Sequence, residues 1–126
     1  MATEASKSIG KTRLRAMIQK MPDLGIKNNE LFAITEVFKN NPLIFAASVF
    51  GSRAKGVYAP YSDVDIAIYG NLSISDVEGV ICDLDELPFV YKFDVVAYNL
   101  VKNTALRHHI DRVGVKIYCF DYYKPS

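Results

Sequence analysis

Two rhythms of apolar residues run along the chain, one with the spacing of helices and one with the alternation of strands. Leu31, Phe32, Ile34, Val37 and Phe38 recur every three or four residues, which predicts a helix up to Lys39, capped by Asn28 or Asn29 and ended by Asn40, Asn41 and Pro42. Leu43 to Phe50 is an almost unbroken apolar run of strand length, expected of a strand covered on both faces, and it stops at Gly51. Asp63 to Tyr69 alternates instead, with Val64, Ile66 and Ile68 on one face and Asp63, Asp65 and Ala67 on the other. A further helix is predicted from about Ser75 to Leu87, capped by Ser73 or Ser75, with Val77, Val80, Ile81 and Leu84 inward before Pro88 interrupts. Phe89 to Tyr98 reads as a strand, Asn99 as the cap of a last helix through Leu100, Val101, Leu106 and Ile110 closed by Gly114, and Val115 to Phe120 as a final short strand. Ahead of all this, Leu14, Met17, Ile18 and Met21 form one short helical stripe that Pro22 and Gly25 break. The expected fold is α/β (α+β): a small mixed sheet backed by helices, with residues 1–27 as an extension to a domain spanning 28–126.

A length of 126 residues, half of them apolar and 23% charged, suits one folded domain. The run Leu43 to Phe50 is far short of the roughly 20 residues that a membrane-spanning helix needs. Met1 to Lys11 mixes Ser, Thr, Glu and Lys without the apolar core of a secretory signal, so a cytoplasmic location is expected. Cys82 and Cys119 form no Cys-x-x-Cys pair and are expected to be buried free thiols, one on a helix and one on a strand. A net charge of +1 offers no overall attraction to a polyanion. The basic run Lys7, Lys11, Arg13, Arg15 and Lys20 reads as a solvated helix face, and nucleic acid is not expected as the main partner.

Most of the candidate chemistry lies in Gly51-Ser52-Arg53-Ala54-Lys55-Gly56, then Val57 to Ser62, then Asp63-Val64-Asp65. A buried strand ending at a glycine lets backbone amides and the Ser52 hydroxyl approach a phosphate closely. Arg53 and Lys55 stand beside that turn as candidate counter-charges. Asp63 and Asp65, two apart on a strand, point to one side and are placed to share divalent ions. Phe93-Asp94-Val95 sets a third acid in an apolar strand, where an unpaired carboxylate is costly unless a cation or donor meets it. Like charges about 4 Å apart repel by about 4 kcal/mol at an effective dielectric of about 20, so three clustered acids call for a cation or raised pKa values. Mg²⁺ answers this with all-oxygen coordination, taking one or two carboxylates per ion and completing its shell with water and phosphates, which implies a two-metal phosphoryl-transfer site. His108 and His109 are adjacent on a helix and cannot share a face as metal ligands four apart do; they read as surface or partly packed residues. Tyr122 and Tyr123 lie near the end of the chain, where modification is conceivable.

Gly-Ser, ten residues and Asp-x-Asp, with Arg53 to Ser62 filling the gap, resemble the signature of the DNA polymerase β-like nucleotidyltransferase superfamily. The wording Gly-Ser-Arg-Ala-Lys-Gly, and Ser62 just before Asp63, resemble its minimal nucleotidyltransferase branch over roughly Glu30 to Phe120. The resemblance implies a polymerase β-like palm with Gly51, Ser52, Arg53, Lys55 and Ser62 around a triphosphate. It also implies that Asp63 and Asp65 ligate two Mg²⁺ ions, and that Asp94 completes the catalytic metal site and takes the acceptor's hydroxyl proton. Larger relatives carry extra domains for their acceptors; here the acceptor is expected to be supplied elsewhere. Stand-alone domains of this kind resemble the antitoxins of pairs whose partner is a helical HEPN-domain ribonuclease, which implies transfer of AMP from ATP to a hydroxyl of that partner. The alternatives are a module that neutralises its partner by contact alone, and nucleotidyl transfer to a small molecule or an RNA end. No motif distinguishes the nucleobase, and the oligomeric state stays open.

Overall fold

The structure is a computed structural model that describes residues 22–120. The stripe at Leu14 to Met21, the basic run and Tyr122 and Tyr123 lie outside these residues. Helix α1 spans Asn28–Lys39, β1 Ala46–Phe50, a short α2 Gly51–Lys55, β2 Val64–Tyr69, α3 Ile74–Asp85, β3 Phe93–Ala97, α4 Thr104–Val113 and β4 Val115–Cys119. The strands form one mixed sheet in the order β3-β2-β1-β4: β1 is antiparallel to both β2 and β4, and β2 is parallel to β3. The expected small mixed sheet with helices is thus the fold, and its two central strands are the ones with the strongest apolar signals.

All five residues of β1 are buried, as a central strand covered on both sides requires. The strand is shorter than the apolar run: Leu43 and Phe45 are about half exposed, because the chain is still entering the sheet there. Along β2 the alternation is realised, with Val64, Ile66 and Ile68 entirely buried against the main core. Full burial of such a side chain is worth about 1.5–3 kcal/mol, so this face of β2 is a principal anchor of the sheet. The main core also takes Leu31, Ile34 and Phe38 of α1 and Val80 and Leu84 of α3. The opposite sheet face carries a smaller cluster, Phe50, Ala67 and Ile110, under α4.

Several boundaries differ from the sequence reading for local reasons. Helix α1 starts at Asn28 itself, and the Glu30 carboxylate accepts from the Lys27 amide to close its first turn. Ser73 caps α3, its hydroxyl accepting from Asp76 N and the Asp76 carboxylate accepting from Ser73 N. Asn99 is not a cap: it sits in a single 3-10 turn, Tyr98–Leu100, and its amide donates to Leu72 O, while Asn103 caps α4 one turn later by accepting from Leu106 N. Strand β3 starts at Phe93, because Phe89 and Tyr91 pack edge-on against neighbouring rings ahead of the strand. Leu24 and Ile26 join the main core, so the packed unit reaches back past the expected boundary at residue 27. Cys82 is on a helix and Cys119 on a strand as expected, but Cys82 is exposed and Cys119 half-buried, which corrects the expectation of buried thiols.

Candidate active site

The strand pairing brings the acids to one end of the sheet. Asp65 lies opposite Asp94 in the parallel β2–β3 register and opposite Phe50 in the antiparallel β1–β2 register. Asp63 precedes β2 by one residue and falls on the same side as Asp65. Gly51 adopts φ +71°, and a Cβ there would run into the Asp65 carboxylate, so both the backbone conformation and the space demand glycine. The turn expected to receive phosphate is therefore in direct contact with the central acid. Ser52 follows on the first turn of α2, where backbone amides have no partner within the helix.

Burial holds the Asp65 carboxyl above its ordinary 3.8, and the negative charges of Asp94 and then Asp63 push it further up. His109 opposes the rise. Such a site is short of positive charge, and its donors are all carboxylate oxygens, a set suited to a hard divalent cation. Among the described residues, no group of three or more His, Cys, Asp or Glu side chains is gathered closely enough to hold a metal ion by itself. Asp63 and Asp94 are exposed and Asp65 half-buried, so the acids line an open face. Asp94 corrects the costly buried carboxylate expected from its apolar neighbours: β3 is an edge strand, and its acid meets water. An open set of this kind suits Mg²⁺, which keeps water and substrate oxygens in its shell.

The other expected residues divide. Lys55 is exposed at the end of α2. Ser62 Oγ accepts from the Ala59 amide at 2.8 Å, so the hydroxyl shapes the loop before Asp63. Arg53, expected as a counter-charge to phosphate, is only 1% exposed and turned away from the acids. Its guanidinium donates to the carbonyls of Leu24, Gly25, Pro60 and Ser62, and lies against the rings of Tyr58 and Tyr91. His109 is the residue that sequence reasoning set aside: half-buried on α4, its ring meets Phe50 edge-on at 6.0 Å, beside Asp65. Nothing in the local pattern marks it, since α4 reaches this face only through tertiary packing. A largely apolar hollow of about 340 Å³, lined by Ile74, Val77, Val96, Leu100, Val101 and Leu106, opens further along the edge of β3.

A Gly-Ser turn thus leaves a central strand and is set against the Asp-x-Asp strand, which pairs in parallel with the strand that bears Asp94. The family model "Polymerase beta, Nucleotidyltransferase" matches residues 33–123, and the chain belongs to that family. No curated protein sequence matches this chain. Among solved structures, a toxin-antitoxin with AMP-PNP is similar in fold at 21% identity and TM-score 0.61, over 71% of this chain and 73% of that one. The toxin-antitoxin MntA-HepT is similar at 18% identity and TM-score 0.57, over 74% of this chain and 73% of that one. No helix among the described residues is long and apolar enough to cross a membrane.

Proposed function

We propose that this chain is a Mg²⁺-dependent nucleotidyltransferase that moves AMP from ATP onto a hydroxyl of a partner protein, with release of pyrophosphate, as the antitoxin to a HEPN-domain ribonuclease toxin. The observation that carries the chemistry is Asp65 in register with Asp94 and packed against Gly51. The fold-level likeness to MntA-HepT and to a toxin-antitoxin with AMP-PNP supports the choice of partner and nucleotide.

In this reading Asp63, Asp65 and Asp94 would hold divalent ions, which would supply positive charge to the phosphate oxygens and lower the pKa of the acceptor hydroxyl. Gly51 lets the Asp65 carboxylate close onto the turn, and the Ser52 amide and hydroxyl donate to the triphosphate. Asp94, exposed at the sheet edge, takes the acceptor's proton in this reading. Lys55 stays at the rim as a counter-charge.

The test is transfer of α-phosphate-labelled ATP, with Mg²⁺, to proteins of the source-cell lysate, comparing the native chain with Asp63→Asn. The expected result is a labelled protein band lost with the substitution. Transfer only to a small molecule or an RNA end would replace the acceptor assignment. Neutralisation of the partner that survives Asp63→Asn with Asp65→Asn would make the chain a contact inhibitor.

A further inference from the structure

We propose that Arg53 is a positioning residue: its buried guanidinium ties two separate segments of chain together and thereby sets Asp63 and Asp65 against the phosphate turn. This rests on the nucleotidyltransferase reading above. One end of the tie is covalent, because Arg53 stands on α2 directly after Gly51 and Ser52. At the other end, Nε and Nη2 both donate to Ser62 O, at 3.2 and 2.9 Å, and Ser62 is the residue before Asp63. Nη2 also reaches Pro60 O at 3.4 Å. The loop cannot slide under this grip, since Ala59 and Ser62 are bonded to each other through Ser62 N to Ala59 O and Ala59 N to Ser62 Oγ. Moving the Ser62 carbonyl therefore moves Asp63.

Nη1 holds the second segment, donating to Leu24 O at 2.9 Å and Gly25 O at 3.4 Å. That segment is shaped for the purpose. Gly25 adopts φ +73°, Asp23 Oδ1 accepts from its amide at 2.8 Å, and a Cβ on Gly25 would collide with the Tyr58 ring and the Arg53 guanidinium. The plane of the guanidinium is flanked by Tyr58 at 5.0 Å and Tyr91 at 5.3 Å. Tyr91 lies just ahead of the strand that bears Asp94, and its hydroxyl donates to Glu30 Oε1 at 2.7 Å. Both acid-bearing stretches, the one with Asp63 and Asp65 and the one with Asp94, thus refer back to one side chain. Only arginine offers a flat fork whose donors reach carbonyl acceptors in two directions while its face lies against rings; lysine brings a point charge without the plane.

The experiment compares the native full chain with Arg53→Lys and Gly25→Ala, each below its own melting temperature. It reads kcat and KM for ATP on the acceptor found in the lysate, and the Mg²⁺ concentration that half-stabilises the fold in AMP-PNP. Displacing the acids by about 1 Å is expected to lower kcat about 10- to 100-fold in both variants, with KM changed less than about threefold and the Mg²⁺ midpoint raised. Arg53→Lys that keeps kcat and raises only KM would make Arg53 a phosphate contact and overturn the proposal. Gly25→Ala that melts lower but keeps both kcat and the Mg²⁺ midpoint would reduce the tie to a purely structural one. Where Arg53→Lys does not fold, Tyr58→Leu, which removes a flanking ring, carries the same readings. A native chain with neither transfer nor stabilisation by Mg²⁺ and AMP-PNP overturns the functional reading and this one together; native stabilisation with unshifted midpoints in the variants overturns this one alone.

Discussion

On one face of β2, Val64, Ile66 and Ile68 are wholly buried in the large core beneath α1 and α3. On the other face Asp65 is half-buried, Ala67 packs on Phe50 and Ile110, and Tyr69 stacks on Tyr98 at 5.0 Å. The same six residues therefore serve a closed face and an open one. The closed face fixes the strand's height and register by apolar contact. The open face is covered by a single helix through Leu106, Ile110 and Val113, and the acids stand at its margin, where desolvation is partial. A charge cluster is tolerable in such a place only because the register holding it is set on the far side of the sheet.

This contrast is broken most sharply on the open face. Under the proposed function, Asp63→Asn with Asp65→Asn is expected to lower labelled-nucleotide transfer by roughly 10³-fold or more without unfolding the chain, since the amides keep the side chains' size and remove only the charge proposed to hold the ions. On the closed face, Ile66→Ala should cost about 2–5 kcal/mol in urea unfolding while the folded fraction keeps its turnover. A comparable loss of turnover per folded molecule there would erase the distinction. Gly51→Ala joins the two faces: a side chain in the left-handed region costs about 1–2 kcal/mol, and its displacement of Asp65 should also abolish transfer. Calorimetry and the transfer assay would read the two effects separately.

Smaller effects sharpen the comparison. Tyr98 pins α4 over the open face: its hydroxyl donates to both oxygens of Asp111, at 2.8 and 3.1 Å, and Arg107 lies 4.6 Å from its ring. Tyr98→Phe should cost about 0.5–1.5 kcal/mol, with catalysis kept in the folded chain. The smallest expected effect is electrostatic. Asp65 titrates above its ordinary 3.8 through burial, Asp94 and Asp63, so the folded chain binds that proton more tightly than the unfolded one. Its contribution to stability is complete below 3.8 and is lost as pH rises through the raised value. Asp65→Asn should therefore melt above the native chain at neutral pH without metal, and the gap should close on acidification. A native chain that melts higher at neutral pH would contradict the charge repulsion.

Much of the closed face was legible in the chain itself. Alternation along Val64 to Ile68 is a local property of a pleated strand, and it announced both the buried side and the side bearing Asp63 and Asp65. Ser73, one of the two caps legible in the chain, does start α3, since a helix cap is satisfied within four residues. The ten-residue gap from Gly-Ser to Asp-x-Asp carried the family through to the match over residues 33–123.

Tertiary structure decided what those local signals could not reach. The Arg53 guanidinium turned inward because carbonyls from Leu24 and Gly25, far back in the chain, come within reach only when that segment packs. Asp94 met solvent because β3 lies at the edge of the sheet, a consequence of strand order and not of its apolar neighbours. His109 came beside Asp65 only when α4 settled on Phe50 and Ala67. Side-chain periodicity is set by the backbone of one segment, and so sequence alone determined which residues carry charge and which way each strand faces. Partner strands, edges and the direction of a long cation are set by burial summed over the whole sheet, and these only the folded chain decides.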